Sequence, residues 1–469
     1  MLSKKLTSIF FIIILIEGFF TLSLELLVIR QAIPFVGTGT EMVSIIISSV
    51  LLPLAIGYYY GGKRYSELIK KRSSTKIRHI LVRNIFIIVA LSGIGFSYIV
   101  MFSYFEALSQ YNLMFLLTAY LLVFLSIPTF FLGQTVPLIS NYFSSKEMSR
   151  ITGKILFLST AGSFAGSVIT VLISMRFIGV SNTFILIETM LLMLIFLIAK
   201  DKVKVGIAIA FLMFLMINLK SLGVSTFNIE YDNMYNTVSV TEGEGSTYMN
   251  INNSSSSKTN PGNTSFYPYI NVINNYIQKD ERADKDILVV GAGGFTVGFN
   301  DTKNKYTYVD IDSDLKEISQ KKFLKEKLKE NKFYQTDEIK KFLIESNKKY
   351  DIIVVDAYTN LMSFPMSLVT AEFYTQIKEA LKEDGYALSN IASDMLLKGK
   401  FAINIDTTIR AVFNNVVRVP LIDLNDIKYY RSIAGEEGIT VNNLYIMKNI
   451  EYKKRIYTDD RNNYSFDKE

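Results

Sequence analysis

Roughly seven apolar segments of membrane-spanning length fill the first 222 residues, near 7–30, 40–62, 82–104, 112–132, 153–175, 181–199 and 204–220. Runs this long with so few charges enter a bilayer only as helices that satisfy their own backbone hydrogen bonds. An N-terminal all-α transmembrane bundle over 1–222 is therefore expected. The first run follows Lys4 and Lys5, as in a signal peptide. It is too long and lacks a small-residue cleavage site, so it reads as a retained span. Of the 469 residues 49% are hydrophobic, and nearly all of that excess lies in this half.

Charge alternates between the loops. Lys63, Arg64, Lys70, Lys71, Arg72, Lys76, Arg78 and Arg83 crowd the second, Lys146, Arg150 and Lys154 the fourth, and Lys200, Lys202 and Lys204 the sixth. By the positive-inside rule the N-terminus is cytoplasmic. Glu17 and Glu25 lie about two turns apart inside the first segment. Such groups in hydrocarbon face the bundle interior and carry a function, or pair here with Arg30. Gly57, Gly61, Gly62, Gly153, Gly162 and Gly166 let helices pack closely.

The net charge of +7 comes without a basic stripe interleaved with aromatics, which argues against nucleic acid and for loops beside anionic lipid. With no Cys and only His79, disulfides, thiolate metal sites, a histidine zinc site and a His-based triad are all disfavoured, and no metal is expected.

After residue 222 the composition turns polar. Residues 226–270 read as a small β-hairpin subdomain around a Gly-Glu-Gly turn, with the Asn252 to Ser265 tract as a mobile loop. Residues 271–450 read as an α/β Rossmann-like parallel sheet, and 451–469 as a polar tail. The organising stretch is Asp286 to Asp312. An apolar run, Ile287 to Val290, enters Gly291-Ala292-Gly293-Gly294, and about twenty residues on a second strand, Tyr306 to Val309, ends on Asp310. A strand buried on both faces reads as continuous Ile/Leu/Val. Glycines at its end let backbone approach a nucleotide, and the acid closing the next strand suits two ribose hydroxyls. An amphipathic helix from Ser313 to Leu328, capped by Asp312 or Ser313, should follow. Further on come a buried strand Tyr350 to Asp356, a helix Glu372 to Leu381 and a strand Tyr386 to Ile391. Asp310, Asp337 or Glu338, and Asp356 would converge beyond the strand ends.

VVGAGG, VDID, the acid near 337, YDIIVVDAY, Phe364-Pro365, LVTAEFY and LKEDGYALSNI, in this order, resemble the spermidine synthase family of aminopropyltransferases. DNMYNTVSV, MNINN and YPYI are similar to its N-terminal hairpins. EGFFTLSLELLVIRQAIPFVG and YYYGGKRY resemble the first two spans of members with a helical bundle ahead of the synthase domain. The resemblance implies S-adenosylmethionine or its decarboxylated form as substrate, an amine acceptor, methylthioadenosine as product, and pairing into homodimers through the synthase-like domain. It implies Asp310, followed by Ile311, at the ribose, Asp337 or Glu338 at the adenine amine, and Gly291 and Gly293 against the nucleoside. Asp356 would be the proton acceptor, with Tyr358 and Tyr235 also counted as catalytic. The departures are Gly294 where the family has an aspartate, Thr359 in place of a second acid in Asp356-Ala-Tyr-Thr-Asn360, and Asn236 and Ser256 where it has glutamines. Acids that grip a polyamine are depleted, so three readings stand: an aminopropyltransferase, a lyase or alkyltransferase on S-adenosylmethionine without an amine acceptor, and a nucleoside sensor gating the bundle. The domain's side is contested too. Seven spans put it outside the cell membrane, whereas the supply of nucleoside argues for the cytoplasm. A seventh segment lying along the surface, or a re-entrant one near Pro34 or Pro137, would bring the domain back inside, and the supply of ligand favours that arrangement.

Overall fold

The computed structural model describes residues 4–69, 74–140, 143, 148–199, 206–207, 214, 227–280, 284–358, 364–421 and 440–447. The chain divides into two units, Met1–Val36 with Thr40–Met234, and Tyr235–Glu469 with Gly37–Gly39.

The first unit is helical: α1 (Lys4–Val36), α2 (Thr40–Ile69), α3 (Ser74–Gly95), α4 (Tyr98–Ala107), α5 (Leu113–Leu121), α6 (Ile127–Gly133), α7 (Thr135–Ser140), α8 (Met148–Val168), α9 (Arg176–Ile178) and α10 (Val180–Ile198). A short strand β1 (Ile229–Asp232) closes it. Among the described residues five helices are long and apolar enough to cross a membrane: Thr7–Val36, Thr40–Lys63, Thr75–Gly95, Leu113–Ser140 and Ser149–Ile178. The expected third segment, 82–104, divides at Phe96–Ser97 between α3 and α4. The sixth is a shorter apolar helix, Val180–Phe196, and most of the seventh lies outside the described residues. Pro34 sits within α1 and Pro137 within α7.

Glycines set the closest packing in this unit. A Cβ on Gly18 would lie 2.0 Å from the Ser159 carbonyl oxygen, and one on Gly162 2.1 Å from that of Leu15, so α1 and α8 touch backbone to backbone. Glu17 sits inside that contact, accepting from Ser159 Oγ at 3.2 Å. The π-helical turns Leu122–Ser126 and Ile169–Met175 interrupt two of the long helices.

The second unit begins with an antiparallel ladder of β2 (Thr237–Gly243), β3 (Ser246–Ile251) and β4 (Ser254–Thr259). The tract expected to be a mobile loop thus contains a strand. Serine is a poor strand former, but Ser254, Ser257 and Thr259 are buried and β3 supplies the backbone partners, so pairing overrides propensity. Next come α11 (Pro268–Lys279), β5 (Asp286–Val290), β6 (Lys305–Asp310), α12 (Leu315–Ile318), β7 (Lys332–Thr336), α13 (Ile339–Glu345), β8 (Tyr350–Val355), α14 (Ala371–Ala380), β9 (Leu381–Asp394), α15 (Lys400–Val412), β10 (Val416–Pro420) and β11 (Thr440–Met447). The helix expected over Ser313 to Leu328 is shorter: α12 is one turn, followed by a π-helical turn, Ser319–Phe323.

These strands form a seven-stranded sheet in the order β10-β11-β9-β8-β5-β6-β7. The run β9-β8-β5-β6-β7 is parallel, and β11 and β10 add an antiparallel edge. Ile287–Val290 and Ile352–Val355 are buried on both faces, as their unbroken apolar sequences require. All five parallel strands therefore present their carboxyl ends on one side.

Candidate functional site

Sheet register assembles the site. Val290 is paired with both Val309 and Val355, so the residues that follow, Gly291, Asp310 and Asp356, come out together. Gly291 N–H donates to the Val309 carbonyl at 3.0 Å and Asp356 N–H to the Val290 carbonyl at 2.9 Å. Gly291 has φ +85°, and a Cβ there would lie 2.5 Å from the Asp356 carbonyl oxygen. Only glycine fits, because the conformation is left-handed and β8 already occupies the space.

Asp310 ties the glycine loop to β6. Its Oδ2 accepts from Ala292 N–H at 2.9 Å and its Oδ1 from Asp312 N–H at 3.1 Å. The carboxylate has more acceptor positions than these N–H donors fill, which leaves room for a ligand hydroxyl. Burial raises the Asp310 carboxyl to about 6, and the Asp312 carboxylate adds to this, against the pull of the backbone N–H groups. Ile311 beside it is exposed.

The two acids near 337 do different work. Pairing of Asp310 with Thr336 leads to an Asp337 N–H···Asp310 carbonyl bond of 3.0 Å, and the Asp337 carboxylate pairs with Lys341 Nζ at 3.1 Å. Exposed Glu338 caps α13, accepting from the N–H groups of Lys340 and Lys341. Asp337 is the one beside Asp310.

Asp356 is held from two sides. Asn390 Nδ2 donates to its Oδ1 at 2.9 Å and the Tyr269 hydroxyl to its Oδ2 at 3.1 Å. Val355 pairs with Ser389, so the next residues, Asp356 and Asn390, meet. Burial pushes the Asp356 carboxyl up, and the two donors oppose it. The Tyr269 phenol is raised well above its ordinary value, by burial first and then by the Asp356 charge, so it stays a donor. Asn390 is 2% exposed, and its Oδ1 has no partner among the described residues.

Tyr358 spends its one hydroxyl proton on the Asn390 carbonyl at 3.0 Å and accepts from Ala392 N–H at 2.6 Å. That geometry locks it to β9. Tyr235 is 39% exposed. Its neighbour Asn236 donates to Asp312 Oδ2 at 2.7 Å and accepts from Asn252, which joins the hairpins to the end of β6.

Strand β4 closes over the glycine loop. Gly294 N–H donates to Ser257 Oγ at 2.9 Å, and a Cβ on Gly293 would lie 3.4 Å from Ser256 Oγ. A Cβ on Gly294 would meet Phe323 Cε1 at 2.4 Å and Ser257 Cβ at 2.8 Å, so no side chain fits there. Thr359 and Asn360 lie outside the described residues. Tyr269, Asn390 and Ser257 were not singled out from sequence. The register of β8 against β9 would have flagged Asn390, and the YPYI motif contains Tyr269. Among the described residues no cluster of three or more His, Cys, Asp or Glu could hold a metal ion.

Residues 268–424 match the spermine/spermidine synthase domain family. The protein is similar to polyamine aminopropyltransferase 2 of Aquifex aeolicus strain VF5, at 25% identity over 190 residues, 37% of each chain. It is also similar to a probable polyamine aminopropyl transferase of Bifidobacterium longum strain NCC 2705, at 36% over 76 residues, 16% of each. The chain thus spans about a third or less of the length of these curated relatives. Among solved structures, a probable spermidine synthase from Corynebacterium glutamicum ATCC 13032 aligns at 16% identity over 48% of this chain and 81% of that one, with a TM-score of 0.39. Family match and named relatives agree: the region 268–424 of this chain is similar to the spermine/spermidine synthase domain.

Proposed function

We propose that the chain is a membrane-anchored enzyme that moves an aminopropyl-type group from S-adenosylmethionine or its decarboxylated form to an amine, releasing methylthioadenosine. The nitrogen lone pair attacks the carbon bound to the sulfonium sulfur. A C–N bond forms as the C–S bond breaks, sulfur keeps the electron pair as a neutral thioether, and the nitrogen's proton passes to Asp356. The sulfonium is already activated, so the protein needs only to align the amine and accept a proton. The observation that carries this reading is a carboxylate gripped by two neutral donors, Tyr269 and Asn390, beside a nucleotide-type glycine loop. Asn390 Oδ1 supplies a spare acceptor for an amine N–H. In this reading Asp310 takes the ribose, with Ile311 over the base and Asp337 near its amine. Methylthioadenosine release by the full chain, measured with and without putrescine and repeated with Asp356→Asn, tests it. No release with any amine would sink the proposal.

A second reading is favoured by the filled space at Gly294. With no room for a carboxylate there, a cationic chain is poorly held; S-adenosylmethionine itself would then react without an amine acceptor, its own carboxylate oxygen attacking the carbon bound to sulfur, so that a C–O bond forms as the C–S bond breaks and a lactone leaves with methylthioadenosine. Release that is independent of added amine supports this version.

The five long apolar helices support a bilayer as the bundle's partner. We place the synthase domain in the cytoplasm, where its nucleoside is made. A reporter fused after Glu469 that is active only outside the cell membrane would reverse that placement. Self-association through the synthase domain belongs to the same proposal and is read by the mass of the purified chain.

A further inference from the structure

We infer that the helical unit carries a proton-binding site at Glu188, where α10 is tied to α3 through one shared hydroxyl. Glu188 is 0% exposed. Its Oε1 lies 2.5 Å from Ser92 Oγ, and the same Ser92 Oγ lies 2.6 Å from the carbonyl oxygen of Ile88, one turn back on α3. Both contacts are short enough to be full hydrogen bonds. A serine hydroxyl has one hydrogen, and a backbone carbonyl has none to give. Two separate bonds around Ser92 Oγ need a second hydrogen, and among the described residues the Glu188 carboxyl is the group placed to bring it. The chain of donation runs from Glu188 O–H to Ser92 Oγ and from Ser92 O–H to Ile88. Oε2, the carbonyl oxygen of the acid, has no partner among the described residues. That is tolerable for a neutral acid and not for half of a carboxylate.

Among the described residues, no neighbour on the elements packed against α10 offers a counter-charge. On α3 the ionisable groups are Lys76, Arg78, His79 and Arg83, all at its N-terminal end, away from Ser92. Arg83, the nearest in sequence, is separated from Ser92 by about 13 Å of helix axis and donates to the Asn84 side chain. Arg78 donates to the Ile198 carbonyl at the far end of α10. On α1, Glu17 is bound by Ser159 and Arg30 Nε donates to the Asn233 carbonyl, while Glu25 adds only like charge. The π-helical turn Ile169–Met175, also packed on α10, has no ionisable residue. Losing the proton would leave one shared hydrogen to serve two acceptors.

The full chain in lipid nanodiscs, examined by infrared spectroscopy at neutral pH, tests this. Glu188→Gln should remove one protonated-carboxyl C=O band per chain, and Glu17→Gln should leave that band in place. Ser92→Ala should keep it and move it to higher frequency, because the acid loses its hydrogen-bond partner. Should Glu188→Gln not fold, the Ser92→Ala shift carries the test alone. Loss of an ionised carboxylate band with Glu188→Gln, or a Ser92→Ala spectrum with no shifted C=O band, overturns the proposal.

Discussion

Asp356, half-buried at the end of β8, and Glu188, fully buried in the bundle, are both carboxyls held by hydrogen bonds, and they differ in what they meet. Asp356 has a separate donor on each oxygen, Asn390 Nδ2 and the Tyr269 hydroxyl, and neither donor carries charge. Glu188 has one hydroxyl that already serves a carbonyl, and its other oxygen has no hydrogen-bond partner among the described residues. On the readings proposed above, that difference leaves Asp356 able to receive a proton while Glu188 already holds one.

The largest expected effect tests the first half of that contrast. Asp356→Asn should cut methylthioadenosine release by about 10²- to 10⁴-fold, the usual worth of a positioned base. The fold should survive, since an amide still bonds Tyr269. Turnover within a few-fold of wild type, with an unchanged melting curve, would remove Asp356 from the chemistry. Next in size is Asp310→Ala, which should cost roughly 2–4 kcal/mol of affinity for methylthioadenosine by calorimetry, because charge-assisted bonds to the ribose are lost. Unchanged affinity would free Asp310 of that role.

Titration sharpens the contrast further. Folding raises the Asp310 carboxyl to about 6 through burial, so its ionised form, the better acceptor for ribose hydroxyls, fills in as pH passes that value. Affinity for methylthioadenosine should therefore rise roughly tenfold between about pH 5 and pH 7. The stability linkage has the opposite sign: a raised acid favours the folded state below its unfolded value and loses that contribution as pH climbs through about 6. A flat binding profile would mean the ligand does not use the charge. The smallest effect concerns Tyr269→Phe. It removes a donor that lowers the Asp356 carboxyl, so the ascending limb of the rate profile should move to higher pH, with the plateau within about tenfold of wild type. A plateau collapse without a shift would make Tyr269 more than a positioning residue. For polyamines, affinity of about millimolar or weaker is expected, since few carboxylates remain to offset the cost of stripping water from ammonium groups.

Much of the sheet could be read from sequence because its strands are buried on both faces. Ile287 to Val290 and Ile352 to Val355 are unbroken apolar runs, and their ends fall where Asp310 and Asp356 stand. Ser254–Thr259 was illegible as a strand because its burial comes from the glycine loop and β3, not from apolar side chains. Asn390 and Tyr269 were hidden for a similar reason. Their partner is Asp356, 34 and 87 residues away, and only register and chain path bring them together. The pairing of Ser92 with Glu188, 96 residues apart, is of the same kind.

The crowding at Gly294 also limits how this site could change over generations. An aspartate there needs room that Phe323 and Ser257 occupy, and Phe323 is itself 1% exposed. Shrinking Phe323 first would open a cavity at a cost of about 3–5 kcal/mol, while placing the aspartate first would force a clash. Either order passes through a poorer protein than the one at each end, so a lineage that had lost the loop carboxylate would be held from regaining it one substitution at a time.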